Sequence, residues 1–163
     1  MVEGSRDAVA GDVARIAELA TLLRAELGSM KGGATWLARD AWPEPLDETY
    51  ARLVTDPDAR VVVGTIDDAP IGFGVVVVET LRSGARLGVV TDLFVEPGAR
   101  AVGVGEYMAA QLIEHCKARG CVGIDALALP GHREAKNFFE RNGFTARALT
   151  MHRALVTDPP DRQ

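Results

Sequence analysis

Arg100-x-x-Gly103-x-Gly105 stands where an apolar run ends and a helical pattern begins, in the stretch VEPGARAVGVGEYM from Val95 to Met108. The plainest reading is a tight turn, since glycine reverses the chain at no steric cost. A dinucleotide fingerprint would need a third glycine within a βαβ unit, and Met108 holds that place. No Gly-Lys-Ser/Thr follows, so the Walker A phosphate loop is excluded. The third reading is an anion cradle. A helix start leaves backbone N–H groups without partners, and its dipole adds positive potential there. Glycines would let a phosphate approach those groups, and Arg100 would add a charge-assisted contact at the rim.

Asp92 is the second residue that asks for a chemical role. It lies in VVTDLFV, a strand pattern whose other members are mostly apolar. Strand alternation puts it on the same face as Val90 and Phe94. Its structural alternatives are capping a bulge or pairing with an arginine. Glu79 ends the preceding strand and reads first as a solvated strand end. Trp36 and Trp42 sit in a turn-rich segment, where they pack or wall a ligand's apolar or ammonium group. His115 beside Cys116 matches no metal-ligand spacing, and Cys116 falls on an apolar helical stripe, so no metal is expected.

These residues need a scaffold. Val13, Ile16, Leu19, Leu23 and Leu27 recur at helical spacing after Asp12 as N-cap, with Gly28 at the end. A short helix is expected from about Leu46 to Val54. RVVVGTI, IGFGVVVVET and VVTDLFV, joined by short turns, predict an antiparallel meander. Val104, Met108, Leu112 and Cys116 mark a helix to about Arg119. CVGIDALAL reads as a strand, PGHREAKNFFERNGF as a helix closed by Asn142-Gly143, and TARALTMHRAL as a last strand. The N-terminus shows little strand character. This order is a mixed α+β fold with a mainly antiparallel central sheet flanked by helices. One domain is expected over residues 1–156, with 157–163 a flexible tail.

Composition narrows the class. The 163 residues are 47 % hydrophobic and 25 % charged, the balance of a soluble globular chain. No apolar run is long enough for a membrane span, and MVEGSRDAVA carries no secretory signal pattern, so a cytoplasmic location is expected. Two cysteines make no disulfide framework. A net charge of −5 argues against nucleic acid as a partner and is compatible with a cationic substrate such as an amine.

With both glycine motif and downstream helix in view, the chain resembles the GNAT superfamily of acyl-CoA-dependent N-acyltransferases. TDLFVEPGARAVGVG is similar to its first signature, a strand followed by Arg/Gln-x-x-Gly-x-Gly/Ala and a helix. HREAKNFFERNGF is similar to its second through Ala135, Phe138, Glu140, Arg141, Gly143 and Phe144. The resemblance runs from about Ser5 to Leu155. It implies transfer of an acetyl group from acetyl-CoA to a primary amine by direct attack in a ternary complex, with no covalent enzyme intermediate and no metal.

It also implies a division of labour. Backbone N–H groups of Ala101, Val102, Gly103, Val104, Gly105 and Glu106 would hold the CoA pyrophosphate, with Arg100 at the rim. The edge of Leu93, Phe94 and Val95 would pair with the pantetheine arm as an added strand. That strand would splay from the next, opening a gap for the thioester. His132 and Phe139 would flank the arm. Phe139 stands where the family most often has the tyrosine taken to protonate the leaving thiolate, and His132 where asparagine is usual. Water or His132 would then supply that proton. An amine must be neutral to attack, which calls for a carboxylate; Asp92 is the first candidate and Glu79 the second. Trp36 and Trp42 fall on the acceptor side. The departure at Phe139 keeps a non-catalytic acyl-CoA sensor as the alternative. The resemblance leaves a homodimer open and does not identify the acceptor or the acyl chain length.

Overall fold

The computed structural model describes residues 1–156, and of Ala101 and Val102 the backbone alone. The expected tail, 157–163, lies outside the described residues. In chain order the elements are β1 (Glu3–Asp7), α1 (Val13–Gly28), α2 (Leu46–Thr55), β2 (Ala59–Ile66), β3 (Ala69–Thr80), β4 (Arg86–Val95), α3 (Val104–Ala118), β5 (Cys121–Ala126) and α4 (Arg133–Arg141). Contacts group them into two units. Residues 1–22 and 42–127 carry the sheet, α2 and α3; among the described residues, 23–41 and 128–156 form the other unit and carry α4.

The sheet has the order β1-β2-β3-β4-β5. β1 to β4 pair antiparallel, and β5 adds parallel to β4. This is the mixed α+β architecture expected from the element order.

α3 lies against this sheet because the strands carry glycine beneath its apolar stripe. A Cβ on Gly64 would stand 2.3 Å from Val104 Cγ1, one on Gly74 3.2 Å from Leu112 Cδ1, and one on Gly88 2.4 Å from Cys116 Sγ. Met108 meets the cross-strand pair Gly64 and Gly72. So each step of the i, i+4 stripe rests over a strand position without a side chain. Val104, Met108, Leu112 and Cys116 are all buried there with Val62, Val76 and Val90. The opposite face holds α2, whose Tyr50 ring packs edge-on against Phe73 at 5.6 Å between centroids. Burial of these aliphatic and aromatic side chains supplies roughly 1.5–3 kcal/mol each.

Two sequence expectations are corrected. The N-terminus forms β1, in register from Glu3 opposite Ile66 to Asp7 opposite Val62. EGSRD has no β-branched residue to announce a strand; the apolar edge of β2 imposes it. Conversely, TARALTMHRAL forms no strand, and Leu149, Met151 and Leu155 are 85%, 88% and 86% exposed. Its apolar alternation specifies which side chains would share a face, but a strand also needs a paired edge.

Candidate active site

β4 is irregular where the chemistry was expected. Val76 pairs with Val90 and Val75 with Asp92, so Thr91 is an extra residue in β4, a β-bulge. The bulge reverses the side-chain parity of the strand. Val90 packs toward α3, and so do Leu93 and Val95 beyond the bulge. Asp92 and Phe94 point to the other face, toward Tyr50 and Phe73. The sequence reading placed Asp92 on one face with Val90. That is incorrect, because simple alternation fails across a bulge.

Asp92 is 5% exposed. Its Oδ1 accepts the Trp42 indole N–H at 2.9 Å and the Thr91 hydroxyl at 2.7 Å, while Oδ2 accepts the Tyr50 hydroxyl at 2.6 Å. Trp42 also donates to Thr91 Oγ1 at 2.9 Å. A buried carboxylate is tolerated only when donors replace its lost water, and here they come from α2, from the segment before it and from β4 itself. Sequence reasoning left Trp42 between packing and a ligand wall and did not single out Tyr50 or Thr91. The signal available was weak: Tyr50 reads as one more member of the buried stripe Thr49, Tyr50, Leu53.

Just at this bulge the sheet opens. The β4/β5 ladder ends at Val90 opposite Ala126, so among the described residues Thr91–Val95 has a strand, β3, on one side only. The chain then runs through a 3-10 turn, Pro97–Val102, into Gly103 at φ 80°, and α3 begins at Val104. The first helical bond is Tyr107 N–H to Gly103 O at 3.4 Å. The N–H groups of Val104 and Gly105, one turn earlier, have no helical carbonyl to bond. A Cβ at Gly103 would lie 3.0 Å from Glu3 Oε2 and would take the left-handed region that favours glycine. Arg100 folds back: its Nε donates to Val95 O at 2.8 Å and its guanidinium lies 5.2 Å from the Phe94 ring centroid. It thereby ties the turn to the end of β4. The backbone of Ala101 and Val102 lies within the 3-10 turn.

The other expected residues are placed as follows. Glu79 is exposed near the end of β3, opposite Leu87. It is four residues from Val75, the partner of Asp92, or about 13 Å along the strand. In the second unit, Trp36 is 6% exposed and begins a wide helical turn, Trp36–Asp40. His132 is the half-buried N-cap residue of α4, with no side-chain cap bond. Phe139 packs between Phe138 and Phe144, at 5.5 and 5.3 Å between centroids. Among the described residues no group of three His, Cys, Asp or Glu could hold a metal ion. Among them, too, no helix is long and apolar enough to cross a membrane.

The sequence model of the Acetyltransferase (GNAT) family matches residues 21–144, well over half of the chain. The chain belongs to the GNAT acetyltransferases. It is 34% identical over 137 residues to "Glucosamine 6-phosphate N-acetyltransferase 1" of Oryza sativa subsp. japonica, covering 77% of this chain and 81% of that one. Its fold is shared by glucosamine-6-phosphate N-acetyltransferase of Arabidopsis thaliana, with TM-score 0.65 and 19% identity over 96% of this chain and 100% of that one. It is shared too by an aminoglycoside acetyltransferase from an uncultured soil metagenomic sample, with TM-score 0.70 and 15% identity over 96% and 97%. The chain is a GNAT-type N-acetyltransferase, and GNAT enzymes take acetyl-CoA as acetyl donor.

Proposed function

We propose that this acetyltransferase moves the acetyl group of acetyl-CoA to a small primary amine in a ternary complex, with residues 1–156 working as one catalytic domain. The observation that carries this reading is a coincidence of place. The open edge of Thr91–Val95, the N-terminus of α3 and the buried Asp92 follow one another within 15 residues of chain. The main-chain edge suits an amide-bearing arm laid alongside it as an extra strand. The Arg100–Glu106 turn, opened by Gly103, suits the pyrophosphate. Leu93, Phe94 and Val95 are then pantetheine contacts.

In the reaction the amine nitrogen bonds to the thioester carbonyl carbon and the carbon–sulfur bond breaks. Asp92 takes the amine proton, directly or through water, and the CoA thiolate takes a proton from water. Glu79, solvated at its strand end, has no part in this reading. The acceptor proposed for the first assay is an amino sugar phosphate, because the rice relative is named for one.

Thiol release measured over a panel of amines with glucosamine 6-phosphate in it tests the reading, beside calorimetric titration with acetyl-CoA. Acceptor-dependent release is expected, and Asp92→Asn should lower kcat about 10²- to 10⁴-fold while binding acetyl-CoA normally. Acetyl-CoA binding without release from any amine would instead favour the sensor. Undiminished kcat in Asp92→Asn would remove Asp92 from the mechanism.

A further inference from the structure

The Tyr50 hydroxyl is not explained by packing. Its ring lies edge-on to Phe73, the residue is 2% exposed, and a phenylalanine would fill the same space. The oxygen is buried with the ring, and a buried hydroxyl is unfavourable unless it finds a partner. Its partner is Asp92 Oδ2 at 2.6 Å, the short distance of a hydrogen bond to an anion. Forty-two residues of chain separate the two, so the contact comes from the docking of α2 on the sheet.

The carboxylate is gripped from both ends. The torsion that spins an aspartate carboxylate is soft and nearly twofold, so a single donor would leave its plane poorly fixed. Trp42 and Thr91 hold Oδ1 while Tyr50 holds Oδ2, and rotation would break these bonds together. The phenol is the titratable group that faces Asp92 from α2; Trp42 and Thr91 face it from the preceding segment and from β4.

We propose that Tyr50 is a positioning residue for acetyl transfer, holding the Asp92 carboxylate at the bulge, with Trp42 as its counterpart on the other oxygen. The inference rests on Asp92 as proton acceptor. Tyr50 orients that acceptor and stabilises its charged form without touching the reacting atoms.

Tyr50→Phe keeps the ring and removes the donor. Its kcat should fall about ten- to a hundredfold, the range for losing a hydrogen bond to a charged group. Acetyl-CoA affinity should stay within about twofold, and the acid limb of kcat/KM should move to higher pH, because the anion has lost a stabilising donor. Trp42→Phe should move that limb the same way. A folding defect is met by a second measurement. The chain has two tyrosines, so fluorotyrosine incorporated in a Tyr107→Phe background labels position 50 alone. This more acidic donor should move the acid limb to lower pH. An unmoved acid limb in Tyr50→Phe or in the fluorotyrosine protein overturns the inference, as does a loss that follows acetyl-CoA affinity. Asp92→Asn separates the two ideas. If it is fully active, the proton-acceptor reading fails; if it is inactive while Tyr50→Phe behaves as wild type, only the role of Tyr50 fails.

Discussion

Adding a single methyl group at Gly64 should lift the start of α3 away from the sheet. The new Cβ would lie 2.3 Å from Val104 Cγ1 and 2.9 Å from Met108 Sδ. Carbon atoms prefer about 3.5–4.0 Å, so the gap to Val104 is short by more than about 1 Å. Met108 has three flexible torsions and can adjust, whereas a helical valine is nearly confined to one rotamer. Val104 is also the first residue of α3, so the relief falls on the turn proposed to cradle the pyrophosphate. Overpacking of this kind costs about 1–3 kcal/mol. In a chain of this size that lowers Tm by roughly 2–12 °C. Calorimetric scanning measures the first effect and titration with acetyl-CoA the second, where weaker binding is expected. The double variant Gly64→Ala/Val104→Ala removes the clashing methyl and should recover about 0.5–3 kcal/mol relative to the sum of the single variants. Strict additivity, or a Gly64→Ala protein with wild-type Tm, would refute the reasoning.

Two further outcomes follow from the buried titratable groups. Burial of the His115 ring, reinforced by Arg60 and Arg119, holds its pKa below the ordinary histidine value. The unfolded chain therefore binds that proton first, and stability should decline as pH falls below about 6.5. Urea midpoints at pH 7.5 and 5.5 should differ less in His115→Gln than in wild type; equal differences would discard the mechanism. Burial also pushes the Cys116 thiol up to about 11. Iodoacetamide at pH 8 should leave it unmodified in the folded protein, as read by mass spectrometry, and rapid labelling would show that α3 opens there.

Local pattern and tertiary pairing account for different parts of the molecule. The stripe Val104, Met108, Leu112, Cys116 was legible because helical periodicity survives any context, and β2 to β4 because β-branched runs between turns have few other uses. The glycine turn was legible as a helix start. What could not be read depends on residues distant in sequence. β1 exists because β2 offers an edge, and Leu149–Leu155 keeps a strand pattern without forming a strand. The bulge leaves no mark in VVTDLFV, since an extra residue shows only against the register of β3. Asp92 stood out as a misplaced carboxylate, but Trp42 and Tyr50 gave no sign that their polar atoms converge on it.

The open edge of Thr91–Val95 bears on how such a site could be mapped. Its hydrogen-bonding groups are peptide N–H and C=O, which every non-proline residue carries alike. On the proposed reading, alanine scanning would report Asp92 and Gly103 and pass over the main chain of Leu93–Val95, because each substitution leaves the amides in place. Locating this surface calls for editing the backbone itself, for example by replacing one amide with an ester and reading the change in acetyl-CoA affinity.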